Sequence, residues 1–321
     1  MELVAFHQHP VSLDGLAALP EDLDGSQGSN RLPQAYCQIQ ASDDWKAIQC
    51  WLTEFDDSPH TRRKYCTEAE RLLLWSIRQQ RKPISGLLRE DFQAYQRFLA
   101  NPLPANYWCG PKAPRHSPAW KPFLGPLSES SQRTSLIIAN ALLSYLVDAG
   151  YLRGNPLSLI RRRNKKLTPK AGEAPAQERF LDQETWDYLK GYIAALPQDT
   201  RREIENYERT RFLFHFLYLL APRVSEVASH SMNSFREYRG RWWWFVEGKG
   251  QKRAKVPVSD EMLDALVRYR CFLGLEELPS EGDTSPVLRS IKGTKGLSGN
   301  MVYRLVKKVV TGAADSIEQE A

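Results

Sequence analysis

The sequence predicts a mainly α-helical protein with one small antiparallel β-sheet, divided into two domains. Three observations carry that expectation. The chain has 321 residues, more than one small core organises, so about two domains is the natural division. Apolar residues recur at helical spacing along most of it and alternate strictly only near Trp242–Val258. Between these regions lies a basic, proline- and glycine-punctuated tract at 161–178, expected to be a linker.

The elements follow in chain order. Residues 1–40 are acidic and rich in Gly, Ser, Pro and Asp, which predicts a mostly disordered leader. A helical domain is expected over 41–160. Its first helix spans Asp43–Phe55 (Trp45, Ile48, Trp51, Leu52), with Ser58-Pro59 punctuating its end. A second begins near Thr61 with Tyr65, Ala69, Leu73 and Ile77 in one stripe, and a third covers Asp91–Ala100. Seven prolines between 101 and 127 predict a long helix-free loop, anchored by Trp108, Trp120 and Phe123. Ser131–Ala149 reads as a strong amphipathic helix capped by Gly150. The second domain, 179–321, opens with a helix at Gln183–Ala195, followed by a buried one at Arg211–Leu220. Strands at Trp242–Glu247 and Arg253–Val258 flank the turn Gly248-Lys249-Gly250-Gln251-Lys252, and helices close the chain at Asp260–Leu273 and Asn300–Val310.

Composition excludes several classes. Charged residues make up 26% and hydrophobic ones 42%, which fits neither collagen nor a low-complexity polymer. No apolar run approaches the roughly 20 residues of a membrane helix, so no membrane partner is expected. The N-terminus shows no basic leader before an apolar stretch, which predicts a cytoplasmic chain. Five scattered cysteines without a Cys-x-x-Cys pair predict reduced thiols, with neither a disulfide frame nor a metal site.

The net charge of +6 hides a gradient: residues 1–60 carry −8, 61–172 carry +14, and 173–321 sum to zero. A basic module gains affinity for a duplex by releasing its counterions, but a solvated basic face has the same composition. Arg62, Arg63 and Lys64 at the start of the second helix leave the same two options, an anion-binding terminus or a solvated turn. Arg161, Arg162, Arg163, Lys165 and Lys166 suit a strap along phosphates better than a plain spacer.

Two positions carry possible chemistry. Arg223 follows the buried helix through Ala221-Pro222, which predicts a guanidinium held rigidly inside the domain. It is either a clamp on a transferring phosphoryl group or the partner of Glu226 one turn on. Lys249 sits at the hairpin tip beside Lys252 and Arg253, either a proton donor to a leaving oxygen or a solvated lysine.

Taken in order, a basic helical domain, a basic linker, Arg223-Val224-Ser225-Glu226 and Gly248-Lys249-Gly250 through Val256-Pro257 resemble the tyrosine recombinase (phage integrase, Xer-like) family. The resemblance covers about residues 43–310, with Gly150-Tyr151-Leu152 and Asn155-Pro156 matching the end of a SAM-like core-binding domain. It implies a two-domain clamp around duplex DNA. Arg223 would bind the scissile phosphate and Lys249 would protonate the leaving 5′ oxygen. Arg62, Arg63, Lys64, Arg161, Arg162, Arg163, Lys165, Lys166, Lys252 and Arg253 would contact DNA. It further implies a 3′-phosphotyrosyl intermediate, no metal or nucleotide cofactor, and assembly as a homotetramer on DNA.

The sequence departs from the family at two places. Where the family has a glycine and an aliphatic residue before the arginine, this chain has Ala221 and Pro222, and the proline predicts an extended Ala221. The family's His-x-x-Arg box and tyrosine nucleophile should follow the hairpin, yet none of the six histidines lies beyond Lys249, and Tyr303 reads as a helix-face aromatic. The expectation is a truncated recombinase-family catalytic domain that binds DNA without cleaving it. The alternative is a catalytically silent DNA-binding regulator on the same fold.

Overall fold

The computed structural model describes residues 10–15, 19–160, 181–247, 253–291 and 293–320, and the chain divides between Thr168 and Pro169 into two units. The architecture is mainly helical, with one three-stranded antiparallel sheet.

In the first unit, α1 (Asp44–Thr53) starts at Asp43, whose carboxylate accepts from the Lys46 N–H at 2.8 Å. Helix α2 spans Pro59–Trp75 and runs on into a single π-helical turn. It begins two residues before the expected Thr61. Ser58-Pro59 does not end α1; the proline takes the first helical position, where its missing N–H costs no hydrogen bond. Helix α3 spans Arg89–Ala100, α4 Ala105–Trp108 and α5 Glu129–Asp148. The single turn α4 corrects the expectation of a helix-free loop. It starts after Pro104, and a proline at a helix start removes only a donor that the first turn leaves spare. Trp108, Trp120 and Phe123 are buried as expected, with Trp108 edge-on to Phe98 at 5.1 Å.

The leader is the larger correction. Over its described residues it is packed, with Leu13 and Leu23 in the core. Its backbone is spliced onto the end of α5. The Leu32 N–H donates to the Tyr151 carbonyl at 3.1 Å and the Gln38 N–H to that of Ala149 at 2.8 Å. Acidic composition misled because one of its acids is structural: the Asp14 carboxylate accepts from Arg115, which also clamps the buried Glu70. Gly150 takes φ +67° after α5, and a side chain there would run into the Tyr36 carbonyl.

The second unit comprises α6 (Gln183–Ala194), α7 (Arg201–Leu220), α8 (Val224–Ser229), β1 (Phe235–Tyr238), β2 (Arg241–Glu247), β3 (Arg253–Pro257), α9 (Asp260–Phe272) and α10 (Gly299–Glu320). The sheet order is β1-β2-β3, with Trp244 paired to Phe235 on one side and Val256 on the other. Trp244 packs edge-on against Phe216 of α7 at 5.0 Å. The alternate residue Trp243 lies on the opposite face under the Lys255 ammonium. Helix α7 begins ten residues earlier than expected and carries the core on Phe212, Leu213 and Phe216.

Candidate active site and nucleic-acid interface

The site is built where α7 ends. Leu220 is the last helical residue, and Ala221 turns the chain in the left-handed region at φ 48°, ψ 45°, its N–H donating to the Leu217 carbonyl at 3.1 Å. An extended Ala221 was expected before proline; tertiary structure overrides that preference. Ala221 takes the conformation a glycine adopts without cost, so the turn survives the substitution at the expense of local strain.

Pro222 is buried, and Arg223 then occupies the N-cap position of α8. Glu226, one turn on and 8% exposed, grips the arginine twice. One carboxylate oxygen accepts from the Arg223 backbone N–H at 2.7 Å, the other from its guanidinium at 2.6 Å. The expectation of an internal guanidinium is corrected here, since the Arg223 side chain is 69% exposed. The backbone is the rigid part. The first turn of a helix needs an acceptor for its spare N–H groups, and Glu226 supplies it while orienting the cation outward. An arginine has five N–H donors, so a single bond to Glu226 leaves capacity for an external oxyanion.

At its other end α8 meets the hairpin through a residue that sequence reasoning passed over. The His230 Nδ1 lies 2.9 Å from the Glu226 carbonyl, and Nε2 lies 3.3 Å from the Glu247 N–H. With the proton on Nδ1, His230 donates to α8 and accepts from the last residue of β2. No local signal marks a histidine for this bridging role. Glu247 pairs with Arg253 across the ladder, so the two residues bracket positions 248–252. Lys249 and Lys252 lie outside the described residues. Arg253 is exposed, with its guanidinium 3.5 Å from the Glu247 carboxylate.

Of the remaining positions, Arg62, Arg63 and Lys64 are exposed on α2, with Arg62 bonded to Asp56 at 2.8 Å. They stand at the start of the second helical turn rather than in the first, because α2 begins at Pro59. Arg161, Arg162, Arg163, Lys165 and Lys166 lie outside the described residues. Tyr303 sits on α10 and is 59% exposed. All five cysteines are unpaired. Among the described residues no group of three or more His, Cys, Asp or Glu side chains is placed to hold a metal, and no helix is long and apolar enough to cross a membrane.

Comparison with known proteins matches these observations. No family model matches the chain. Over 140 residues it is 29% identical to the tyrosine recombinase XerC of Neisseria gonorrhoeae, covering 43% of this chain and 39% of that protein. Over 183 residues it is 27% identical to XerC of Chlorobaculum parvum, covering 54% of this chain and 52% of the relative. The chain thus matches about half or less of the length of these relatives. Among solved structures, the XerH site-specific recombinase bound to palindromic difH substrate superposes with a TM-score of 0.55 at 15% identity, over 89% of this chain and 74% of that one. A lambda integrase dimer bound to a COC′ core site gives 0.52 at 10% identity, over 88% and 65% respectively. Over part of its length the chain is thus similar in sequence to the tyrosine recombinase XerC, and it shares the fold of XerH and lambda integrase.

Proposed function

We propose that this chain binds duplex DNA as a site-specific recombinase-family protein, with Arg223 seated on a backbone phosphate. One observation carries the reading. An outward guanidinium, fixed from beneath by Glu226, stands at one end of the six-residue α8, and the other end is hydrogen-bonded through His230 to the mouth of the Lys249 hairpin. Six residues at 1.5 Å each separate these ends by about 9 Å. By resemblance, Lys249 is the position that would protonate a leaving 5′ oxygen and Arg223 the one that would offset charge on the phosphorus; with no nucleophile assigned within these residues, we propose that they hold the phosphate without breaking the strand.

In the same proposal, residues 41–160 and 179–321 act as the two halves of a clamp joined by the basic linker at 161–178, and several copies assemble on one DNA. Arg62, Arg63, Lys64, Lys252, Arg253 and the cations at 161–166 hold phosphates. No His-x-x-Arg sequence follows Lys249 within these 321 residues, so we assign them DNA binding without strand cleavage.

A gel-shift titration on duplex DNA between 50 and 200 mM salt tests this. Binding should weaken steeply with salt, and replacing Arg62, Arg63 and Lys64 together by alanine should flatten the log–log slope by up to about 2.7, at ~0.9 per phosphate contact. Binding indifferent to salt, or no binding at low salt, sinks the DNA reading. A nicked suicide substrate should trap no covalent adduct with these residues.

A further inference from the structure

Towards the other end of α7 the chain forms a cavity of about 440 Å³ between the first half of that helix, the end of α9 and the segment beginning at Arg289. Its walls divide into two kinds. Arg201, Arg209 and Arg289 supply cations, whereas Ile204, Tyr269 and Phe272 supply apolar surface. Arg209 is 9% exposed, yet its Nε has no hydrogen-bond partner; one terminal nitrogen reaches Asn206 at 2.8 Å. The Nε of Arg289 is likewise buried and unpartnered. The carboxylate lining the cavity, Glu205, bonds Arg201 at 3.3 Å, and among the described residues neither Arg209 nor Arg289 has an ion-pair partner.

The neighbouring Arg270 shows what a structural arginine looks like in this unit. It is more deeply buried, and its donors reach the Asp283 carboxylate and the carbonyls of Glu276 and Leu278. Leaving buried donors unpaired costs stability, and two arginines that line one cavity without a carboxylate partner, each with an unsatisfied Nε, have donor capacity for an external acceptor. Burial also holds the Arg209 guanidinium below its ordinary pKa, the response of a cation without a partner.

We propose that this cavity is a binding site for a small ligand that joins an oxyanion, phosphate or carboxylate, to a flat apolar body. The guanidinium groups present forked donors to the oxyanion. Phe272 and Ile204 offer exposed apolar surface to the body, and Tyr269, stacked on Phe212 at 4.5 Å, backs the wall. The volume falls in the small-molecule range, and a concave site of this size does not admit a duplex. Arg209 lies eleven residues before the end of α7, about 16 Å along the helix, and Arg223 lies beyond the turn at that end, so the site is separate from the proposed phosphate contact.

The test is calorimetric titration of the full chain with phenyl phosphate, benzoate, inorganic phosphate and benzyl alcohol. Phenyl phosphate or benzoate should bind at least tenfold more tightly than inorganic phosphate or the neutral alcohol, and which of the two wins identifies the oxyanion. Arg209→Met should weaken that binding at least tenfold and raise the urea midpoint, because it removes a cation whose burial outweighs the attraction of the nearby Glu205. Ile204→Trp should block the cavity while leaving the salt-dependent gel shift unchanged. Absence of millimolar binding by either anionic arene overturns the proposal. So does an Arg209→Met variant that binds normally, or one that unfolds more easily, as loss of a structural arginine would.

Discussion

Asp44 in the first unit and Arg209 in the second are both buried charges without an ion-pair partner among the described residues, and the fold treats them in opposite ways. Asp44 is 2% exposed and spends its carboxylate internally: one oxygen accepts from the Ser85 N–H at 3.0 Å, the other from the Tyr151 hydroxyl at 2.8 Å. The Arg31 guanidinium stacks 3.4 Å from the Tyr151 ring centre and lends a more distant positive charge. These bonds tie the ordered leader, the segment after α2 and the end of α5 to the start of α1. Arg209 opens on a cavity instead. A buried charge whose bonds are all internal is a structural tie, and one with bare donors at a cavity wall is a site.

The largest expected effect tests the first half of that contrast. Asp44→Ala strands the Ser85 N–H and the Tyr151 hydroxyl in the core, and should destabilise the first unit by about 3 kcal/mol or more. Urea unfolding followed by amide exchange at Ser85 and Leu32 reads the loss. A cost below ~1 kcal/mol removes the distinction between Asp44 and Arg209. The second effect is its pH dependence. Burial outweighs the hydrogen bonds and pushes the Asp44 carboxyl up to about 6 from an ordinary value near 3.8. The folded form therefore binds a proton between about pH 4 and 6 that the unfolded chain releases. Stability from this group is fully present below pH 4 and is lost as pH rises through 6, by on the order of 3 kcal/mol. Asp44→Asn should flatten the stability curve over that window; an unchanged curve assigns the proton elsewhere.

How far the sequence foretold these regions depends on the range of the interaction. Helices α1, α3 and α5 carry regular apolar stripes and local caps, so they were legible within a residue or two. The strands flanking the hairpin were legible from alternation, and Trp244 faces the core as the pattern requires. The first ten residues of α7 were not, because Arg201–Thr210 is dense in charge. The signal was Thr200-x-x-Glu203, a capping box whose two reciprocal bonds the structure contains. Strand β1 is four residues long, with three of them exposed, too short to show a period. At the site, the Arg223–Glu226 pair was legible from one-turn spacing, but its outward direction was not. That depends on the left-handed turn at Ala221. His230 and the Arg209–Arg289 cavity join residues from 17 to 80 positions apart, which no local pattern encodes.

The smallest effect separates the two ends of α7. Ala221 holds φ 48° immediately before a proline, whereas the cavity end of the helix shows no positive φ. An L-residue in the left-handed region costs about 1–2 kcal/mol, and glycine removes that cost while adding freedom to the unfolded chain. The net gain from Ala221→Gly should be about 0.5–1 kcal/mol, seen as a higher urea midpoint for the second unit. Because the Cβ alone is lost, Glu226 should keep its grip on Arg223 and the gel shift should be unaltered, as should the calorimetric titration of the cavity. Stabilisation accompanied by weaker DNA binding would have a different meaning: the strain at Ala221 would be aiming the arginine, and the exposed end of the helix would be tuned by its backbone as the buried end is tuned by missing partners.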